Sequence, residues 1–487
     1  MRASVTRAAN HAEAAVSRTP LVDAWQRARA LNRHPLQIPG HKGRYASDGD
    51  ALGADLLAAL VRDDIPLQGG VDDNAFSNHV LEDAEVLWAV AVGADHSRFL
   101  VGGSSQGNIA ALSAVARPGL PVAVDRTSHR STQGALVVSG ARPVWIFPTL
   151  HPEFHLPIGV SPSQVSGVAD DVTAAFVTSP SYIGTLCDVR GLAGAAHERG
   201  IPLVVDQAWG AHLAFLGRGG LSEGADVLVT SVHKALLGYS QTAVVSMRYG
   251  RVDRAHLDRC VDLTATTSPS GTLLASIDAT RSVMERDGHA ALERIIDAVA
   301  GVRRRLARVP GLVVLDDDNA DCAVDPTKIT LLLPGTGASG LDVGDALWDL
   351  GHGPESADRD TVVLTVTVAD ESAFLAQFAE TLAGIVEAHR GDARAFAPTA
   401  VWQVEPEVVL TPREAFFARH RRVRLADAVG EVSAEQFCPY PPGVPLLAPG
   451  ERVTRATVEA IRAAGLIGRV AYSSDPTLET IEIVEQP

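Results

Sequence analysis

Lys234, in TSVHKAL, stands just past the apolar run DVLVT. The carboxyl end of a buried strand is where an open α/β sheet offers side chains to a ligand. Read alone, Lys234 is an ordinary strand-end lysine. Asp206 closes the preceding apolar run, PLVVD. A carboxylate there is costly unless it is paired or has chemistry to perform; the plain alternative is a turn or helix-capping aspartate. GGSSQGN (102–108) follows another apolar run and opens a helix-like segment, in which Ser104, Ser105 and Gln106 join the glycines. Small residues and free N–H groups at a helix start suit an anion. The motif has neither the Gly-Lys-Ser/Thr ending of a P-loop nor the dinucleotide glycine spacing, so it is equally a plain helix cap. His129, in DRTSHRS, comes after the next run and offers a planar ring for stacking, though a lone histidine is more often a capping or surface group.

Together these form an anion cradle, a stacking ring, a carboxylate and an amine, in chain order at strand ends. That set suits pyridoxal phosphate, where a lysine carries the cofactor and a carboxylate keeps its ring nitrogen protonated, so that the ring accepts electrons from a breaking bond. Ser231 and His233 precede the lysine in Ser-x-His-Lys.

The elements that must position these groups alternate between helix and strand. LEDAEVLWAVAVGA (81–94), SQGNIAALSAVA (105–116) and GLAGAAHERG (191–200) read as helices. RFLVGG (98–103), PVAVD, PVWIF, AAFVTS, PLVVD, DVLVTS and TAVVSM read as strands, several of them apolar throughout, as strands buried on both faces should be. The pattern predicts an α/β domain with a mostly parallel central sheet. Residues 272–309 predict a long helical stretch with a break at Asp287-Gly288. VVLDDD, KITLLL and VVLTVTV, with the helix-like DVGDALWDLG, predict a smaller α/β domain, and the Pro-rich CPYPPGVPLLAPGE (438–451) marks a C-terminal module. The expected division is an N-terminal arm (1–45), a large domain (46–285), a small α/β domain (286–394) and a C-terminal domain (395–487).

The composition narrows the class of function. A net charge of −16 argues against a nucleic-acid partner, and a chain with 21% charged residues and no long apolar run predicts no membrane span. The first residues lack the apolar core of a targeting peptide, and the four cysteines have no metal-ligand spacing, so a cytoplasmic protein without a metal site is expected.

Taken whole, the sequence resembles the Orn/Lys/Arg decarboxylases, pyridoxal-phosphate enzymes of the fold type I (aspartate-aminotransferase) kind. The resemblance rests on IPGHKGR (38–44), GADHSRFLVGGSSQGN (93–108), TSPSYIGTLCDV (178–189), VDQAWGAHL (205–213), SVHK (231–234), TSPSGTLLASID (267–278) and CPYPPGVPLLAPGE. It implies that Lys234 binds the cofactor covalently, that Asp206 pairs with the ring nitrogen, and that Ala208 packs under the ring with His129 above it. Ser104, Ser105, Ser231 and His233 would surround the phosphate, with Gln106 also among the cofactor-binding residues. Ser268 and Ser270 would lie in a segment reaching a neighbouring subunit's site, making a homodimer the smallest complete unit. The chain resembles the short form without the N-terminal wing domain. DQAWGAH stands where many relatives have DEAHGAH, and VDDNAFSNH (71–79) also departs from the family pattern; both bear on substrate choice.

The expected reaction is decarboxylation of arginine, ornithine or lysine, with Lys234 or His233 returning a proton to the α-carbon. Glu355, Glu431 and Glu435 are candidates for the distal amine or guanidinium. The rivals are a transaminase or another lyase on the same fold, and a non-catalytic cofactor-binding paralogue. The strand VVLTVTVADES (362–372) carries no arginine to clamp an α-carboxylate, which leans against transamination.

Overall fold

Seven of the apolar runs pair into one sheet. In the computed structural model, which describes residues 18–30, 64–65, 79–396, 404–440, 443–467 and 470–485, they are β1 (His96–Leu100), β2 (Pro121–Asp125), β3 (Arg142–Ile146), β6 (Ala175–Thr178), β7 (Leu203–Asp206), β8 (Val227–Ser231) and β9 (Ala243–Met247). A short hairpin of β4 (Thr149–Leu150) and β5 (Pro157–Gly159) lies between β3 and β6. The motif IPGHKGR, all of VDDNAFSNH except His79, and the centre of the Pro-rich run fall outside the described residues.

The sheet order is β1-β9-β8-β7-β6-β2-β3. β2, β3, β6, β7 and β8 pair in parallel, while β9 runs antiparallel to both of its neighbours. The sheet is mostly parallel, as expected, with one reversed strand. An apolar run buried on both faces carries no mark of direction, so the reversal of TAVVSM has no signature in its residues. Alternate residues feed two cores: Val204, Val227 and Val229 enter one, and Leu203, Val205 and Leu228 the other. That alternation holds the carboxyl ends of β2, β7 and β8 at one edge, where Asp125, Asp206 and Ser231 end their strands.

A second sheet is wholly antiparallel, ordered β10-β11-β13-β12, where β10 is Val313–Val314, β11 Lys328–Leu332, β12 Ser356–Ala357 and β13 Thr361–Thr365. It packs on helices His289–Leu306 and Ser372–Ala388 through a separate core containing Ile295, Ile329, Val362 and Phe378. The break expected at Asp287-Gly288 is instead a single π-helical turn, Met284–Gly288, between helices Gly271–Val283 and His289–Leu306. Gly288 lets that turn close on the buried Met284, since an added Cβ would stand 2.7 Å from Met284 Cε. Within the expected polar arm, Pro20–Ala30 is a helix whose Leu21 is fully buried and whose Leu21 N–H donates to Asp278 Oδ2 at 3.1 Å.

The C-terminal residues pair β14 (His420–Arg424) with β17 (Thr480–Val484) and β15 (Cys438–Tyr440) with β16 (Val470–Tyr472). Their core gathers Phe437, Val444, Leu446, Leu447 and Ile461. No helix among the described residues is long and apolar enough to cross a membrane.

Candidate active site

Asp206 ends β7 fully enclosed, with both carboxylate oxygens engaged. Oδ2 accepts from Asn108 Nδ2 at 2.7 Å and Oδ1 from the Ala208 N–H at 3.0 Å. Burial pushes its carboxyl above the ordinary range, while Lys234, Asn108 and the Ala208 N–H pull the other way. Asn108 Nδ2 also donates to Ser131 Oγ at 3.0 Å, and Ser131 Oγ lies 2.9 Å from His129 Nδ1. A hydrogen-bonded line therefore runs from Asp206 through Asn108 and Ser131 to His129. Burial, then the charges of Lys234 and Arg130, bring the His129 ring down to about 4. It is neutral at pH 7 and suited to stacking.

Lys234 lies on the short helix Val232–Ala235 that caps β8, with Nζ 4.0 Å above the Trp209 ring. Burial lowers its amine, with Asp206 and Glu355 acting in the opposite sense. His233 Nδ1 is 2.8 Å from the Thr242 carbonyl, which makes Nδ1–H the donor and leaves Nε2 to act elsewhere. Ser231 is fully buried, and its Oγ has no hydrogen-bond partner among the described residues.

The expected anion cradle is the start of the helix Gly103–Val115. Gly107 brings this helix against β8, because an added Cβ there would be 2.6 Å from Val229 Cγ1 and 3.0 Å from Leu100 Cδ1. Ser104 and Ser105 lie in the first turn, whose N–H groups have no intrahelical acceptor, and Ser105 is exposed. Gln106 is already committed: its Oε1 accepts the Gly102 N–H at 3.0 Å, so it shapes the cradle from behind.

The loop carrying His129 is fastened from two sides. Asp125 accepts from Thr127 N, Thr127 Oγ1 and Thr178 N at 2.7, 2.6 and 3.2 Å, which fixes the turn leaving β2. Arg126 then reaches the C-terminal module, where Nη1 and Nη2 donate to Glu451 Oε1 and Oε2 at 2.6 and 3.0 Å. Nη2 also donates to the Leu446 carbonyl at 2.9 Å. Both partners are buried, and the guanidinium lies 4.5 Å from the Trp145 ring centroid. Arg130 sits on the Tyr472 ring at 4.0 Å and its N–H donates to the Gly443 carbonyl. The Pro-rich module thus backs the His129 loop.

The small sheet supplies groups that the sequence reading did not single out. Lys328, first residue of β11, is 2% exposed and places Nζ 4.1 Å from the Trp209 centroid. Asp325, three residues earlier, meets His212 of the DQAWGAH motif, Oδ1 to Nε2, at 3.1 Å. Burial alone would raise the Asp325 carboxyl, but His212 and Lys328 bring it down to about 2. Glu355 is close enough to act on both Lys234 and Lys328. The other two candidate acids are occupied elsewhere. Glu431 pairs with Arg421 at 2.8 Å, and Glu435 accepts from Ser474 Oγ and the Glu482 N–H. Ser268 is exposed and bonds to Thr266, while Ser270 Oγ donates to Asp64 at 2.9 Å; neither reaches Lys234 within the chain. One signal for Lys328 was present: it is a lysine opening an otherwise apolar strand, KITLLL.

The set fits the cofactor implied by the sequence resemblance. A buried hydroxyl without a partner and a helix start suit its phosphate, a neutral imidazole suits its ring, and the enclosed carboxylate of Asp206 suits a ring cation.

Comparison with known proteins follows the same outline. Residues 19–317 match the model of the Orn/Lys/Arg decarboxylase major domain, and residues 396–467 that of the Orn/Lys/Arg decarboxylase C-terminal domain. An arginine decarboxylase of Halalkalibacterium halodurans is 29% identical over 96% of this chain and 98% of its own length. An arginine decarboxylase of Bacillus anthracis is 29% identical over 96% and 97%. Among solved structures, the Francisella novicida lysine decarboxylase superposes with a TM-score of 0.80 at 19% identity, covering 96% of this chain and 81% of that one.

Proposed function

This chain belongs to the Orn/Lys/Arg decarboxylase family and decarboxylates a basic amino acid, and from that premise we propose that its substrate is arginine and its cofactor pyridoxal phosphate held on Lys234. The observation that carries the site assignment is convergence: Asn108 bonds both Asp206 and Ser131, Ser131 Oγ lies 2.9 Å from His129 Nδ1, and Lys234 Nζ lies 4.0 Å from the ring of Trp209, three residues after Asp206. The choice of arginine is supported by the near full-length similarity to arginine decarboxylases, and by Glu355, an acid near both lysines that has no ion-pair partner within 4 Å among the described residues. A guanidinium and a carboxylate form a strong two-point pair.

Bound here, pyridoxal phosphate supplies an electron sink conjugated to the substrate's α-carbon. Asp206 holds the proton on the ring nitrogen, with its oxygens fixed by Asn108 and the Ala208 N–H. His129 would stack on one ring face, where its low basicity would keep it from competing for protons. Lys234, its charge disfavoured by burial, would hold the cofactor and give way to the substrate's amine. Lys234 Nζ or His233 Nε2 then returns a proton to the α-carbon. The homodimer belongs to this proposal, with Ser268 and Ser270 serving the neighbouring site, and so does the four-part division of the chain. The four free cysteines suit a reducing compartment.

The test is to purify the protein with pyridoxal phosphate, record the imine absorbance, and follow CO₂ from arginine, ornithine and lysine. Lys234→Ala should abolish the imine band and lower CO₂ release roughly a thousandfold or more. CO₂ from lysine or ornithine but not arginine would replace the substrate. An imine band that survives in Lys234→Ala would remove the site.

A further inference from the structure

Lys328 has a buried ammonium whose hydrogen-bonding capacity is mostly unused. Its position is built, not incidental. Its stem passes Gly184, where an added Cβ would lie 2.9 Å from Lys328 Cγ and 3.0 Å from Cβ, in a backbone turn with φ +97°. Arg303 Nη2 donates to the carbonyls of Asp325 and Lys328 at 3.0 and 2.6 Å, and Asp325 is tied to His212. These contacts fix the start of β11 against the large sheet.

The ammonium itself donates to Thr365 Oγ1 at 3.0 Å and lies on the Trp209 face. An ammonium has three donors, so two remain. Among the described residues no carboxylate lies within 4 Å of it; Asp325 and Glu355 act from further away. Burial brings this amine down to about 8, the cost of a cation without a close counter-ion. Such a group is an anion receptor awaiting its anion.

Geometry selects the anion. Lys234 and Lys328 are each about 4 Å from the centroid of one indole, so their amines are at most about 8 Å apart. An α-amino acid whose nitrogen takes the place of Lys234 Nζ carries its carboxylate oxygens ~3 Å further on, and a charge-assisted hydrogen bond adds ~2.8 Å. That reach, ~6 Å, covers most of the largest separation the shared indole allows. The cofactor's phosphate would be held by different elements, the start of the helix Gly103–Val115 and Ser231. The substrate's only permanent anion is its α-carboxylate.

We propose that Lys328 receives the α-carboxylate of the substrate, the small sheet thereby supplying from β11 the cation that β13 lacks. The inference rests on the functional reading above, with the substrate amine entering at Lys234. The carboxylate loses its charge as CO₂ departs, so the contact with Lys328 is stronger in the ground state than in the transition state. It contributes to binding and orientation, not to the rate of bond breaking.

The experiment compares holoenzyme and its Lys328→Met variant using arginine and the amine that arginine becomes on decarboxylation. Met keeps the stem and removes the charge. KM for arginine should rise about 10- to 100-fold, the size of a lost charge-assisted hydrogen bond, with kcat unchanged or raised. The inhibition constant of the product amine, which has no carboxylate, should stay within about twofold. Lys328→Arg retains the cation and should recover most of the KM, which keeps the proposal testable if the Met variant folds poorly. Equal losses for arginine and amine, or an unchanged KM with a collapsed kcat, would overturn it; the second would make Lys328 a proton-handling group. If the wild-type enzyme prefers another basic amino acid, the substrate reading fails while the same comparison, run with that amino acid and its amine, still decides the role of Lys328.

Discussion

The two walls of the site treat buried charge in opposite ways. On the large-sheet wall, the carboxylate of Asp206 is hydrogen-bonded on both oxygens, and its partner Asn108 leads on through Ser131 to His129. On the small-sheet wall, the ammonium of Lys328 has one neutral hydroxyl and an aromatic face, with no carboxylate in ion-pair range among the described residues. Both groups are almost completely enclosed. A wall whose carboxylate is hydrogen-bonded on both oxygens is held rigid before anything arrives, as a resident cofactor requires. A wall with an under-matched charge is completed by whatever binds, as an exchanging substrate requires. On this reading, partner count separates the half of the site that holds the cofactor from the half that selects the substrate.

The contrast is broken most severely from behind the large-sheet wall. Glu451→Gln leaves the buried Arg126 guanidinium without its counter-ion and should cost about 3–5 kcal/mol of stability, read as a shift of the urea unfolding midpoint. The His129 loop should loosen with it. An unchanged midpoint would mean that the C-terminal module does not brace that wall.

A smaller effect is expected inside the wall. Asn108→Ala removes a hydrogen bond from Asp206 and one from Ser131, and should lower kcat about tenfold while weakening retention of pyridoxal phosphate. If it changes only KM for arginine, the large-sheet wall also selects substrate and the division fails.

A pH-dependent effect, confined to acid conditions and absent at pH 7, sharpens the electrostatic side of the comparison. The His129 ring sits near 4 in the folded chain, below the ordinary value of 6.5, so the unfolded chain takes up that proton first as pH falls. His129 therefore subtracts stability progressively from about pH 6.5 down to about 4, by at most ~1.4 kcal/mol per pH unit. Unfolding measured at pH 7 and pH 5 should show a shallower loss in His129→Asn than in the parent. Equal slopes would place the titrating proton on another group.

The large-sheet wall was legible in the sequence because each of its groups ends an apolar run or opens a helix. A strand end points at a ligand whatever surrounds it, so Asp206, Lys234, His129 and the Ser104–Ser105 cradle were recognisable from their place in the pattern. Gln106 belonged to the same motif, yet its side chain turns back to Gly102, a choice made by local geometry that composition does not record. Glu355, Glu431 and Glu435 looked equivalent as acids in the chain, and only packing sent the latter two to Arg421, Ser474 and the Glu482 N–H.

The sequence by itself determined the alternation of strands and helices, the order of the strand-end groups and the chemistry those groups can perform, because these follow from periodicity and residue type along a local stretch. The tertiary structure decided what stands opposite them. The direction of β9, paired with β1 on its far side, the pairing of Arg126 with Glu451 and the meeting of Lys328 with Trp209 all join residues far apart in the chain. A buried charge is marked as unusual only once its neighbours are known, since it is their dielectric and their hydrogen bonds that set its cost.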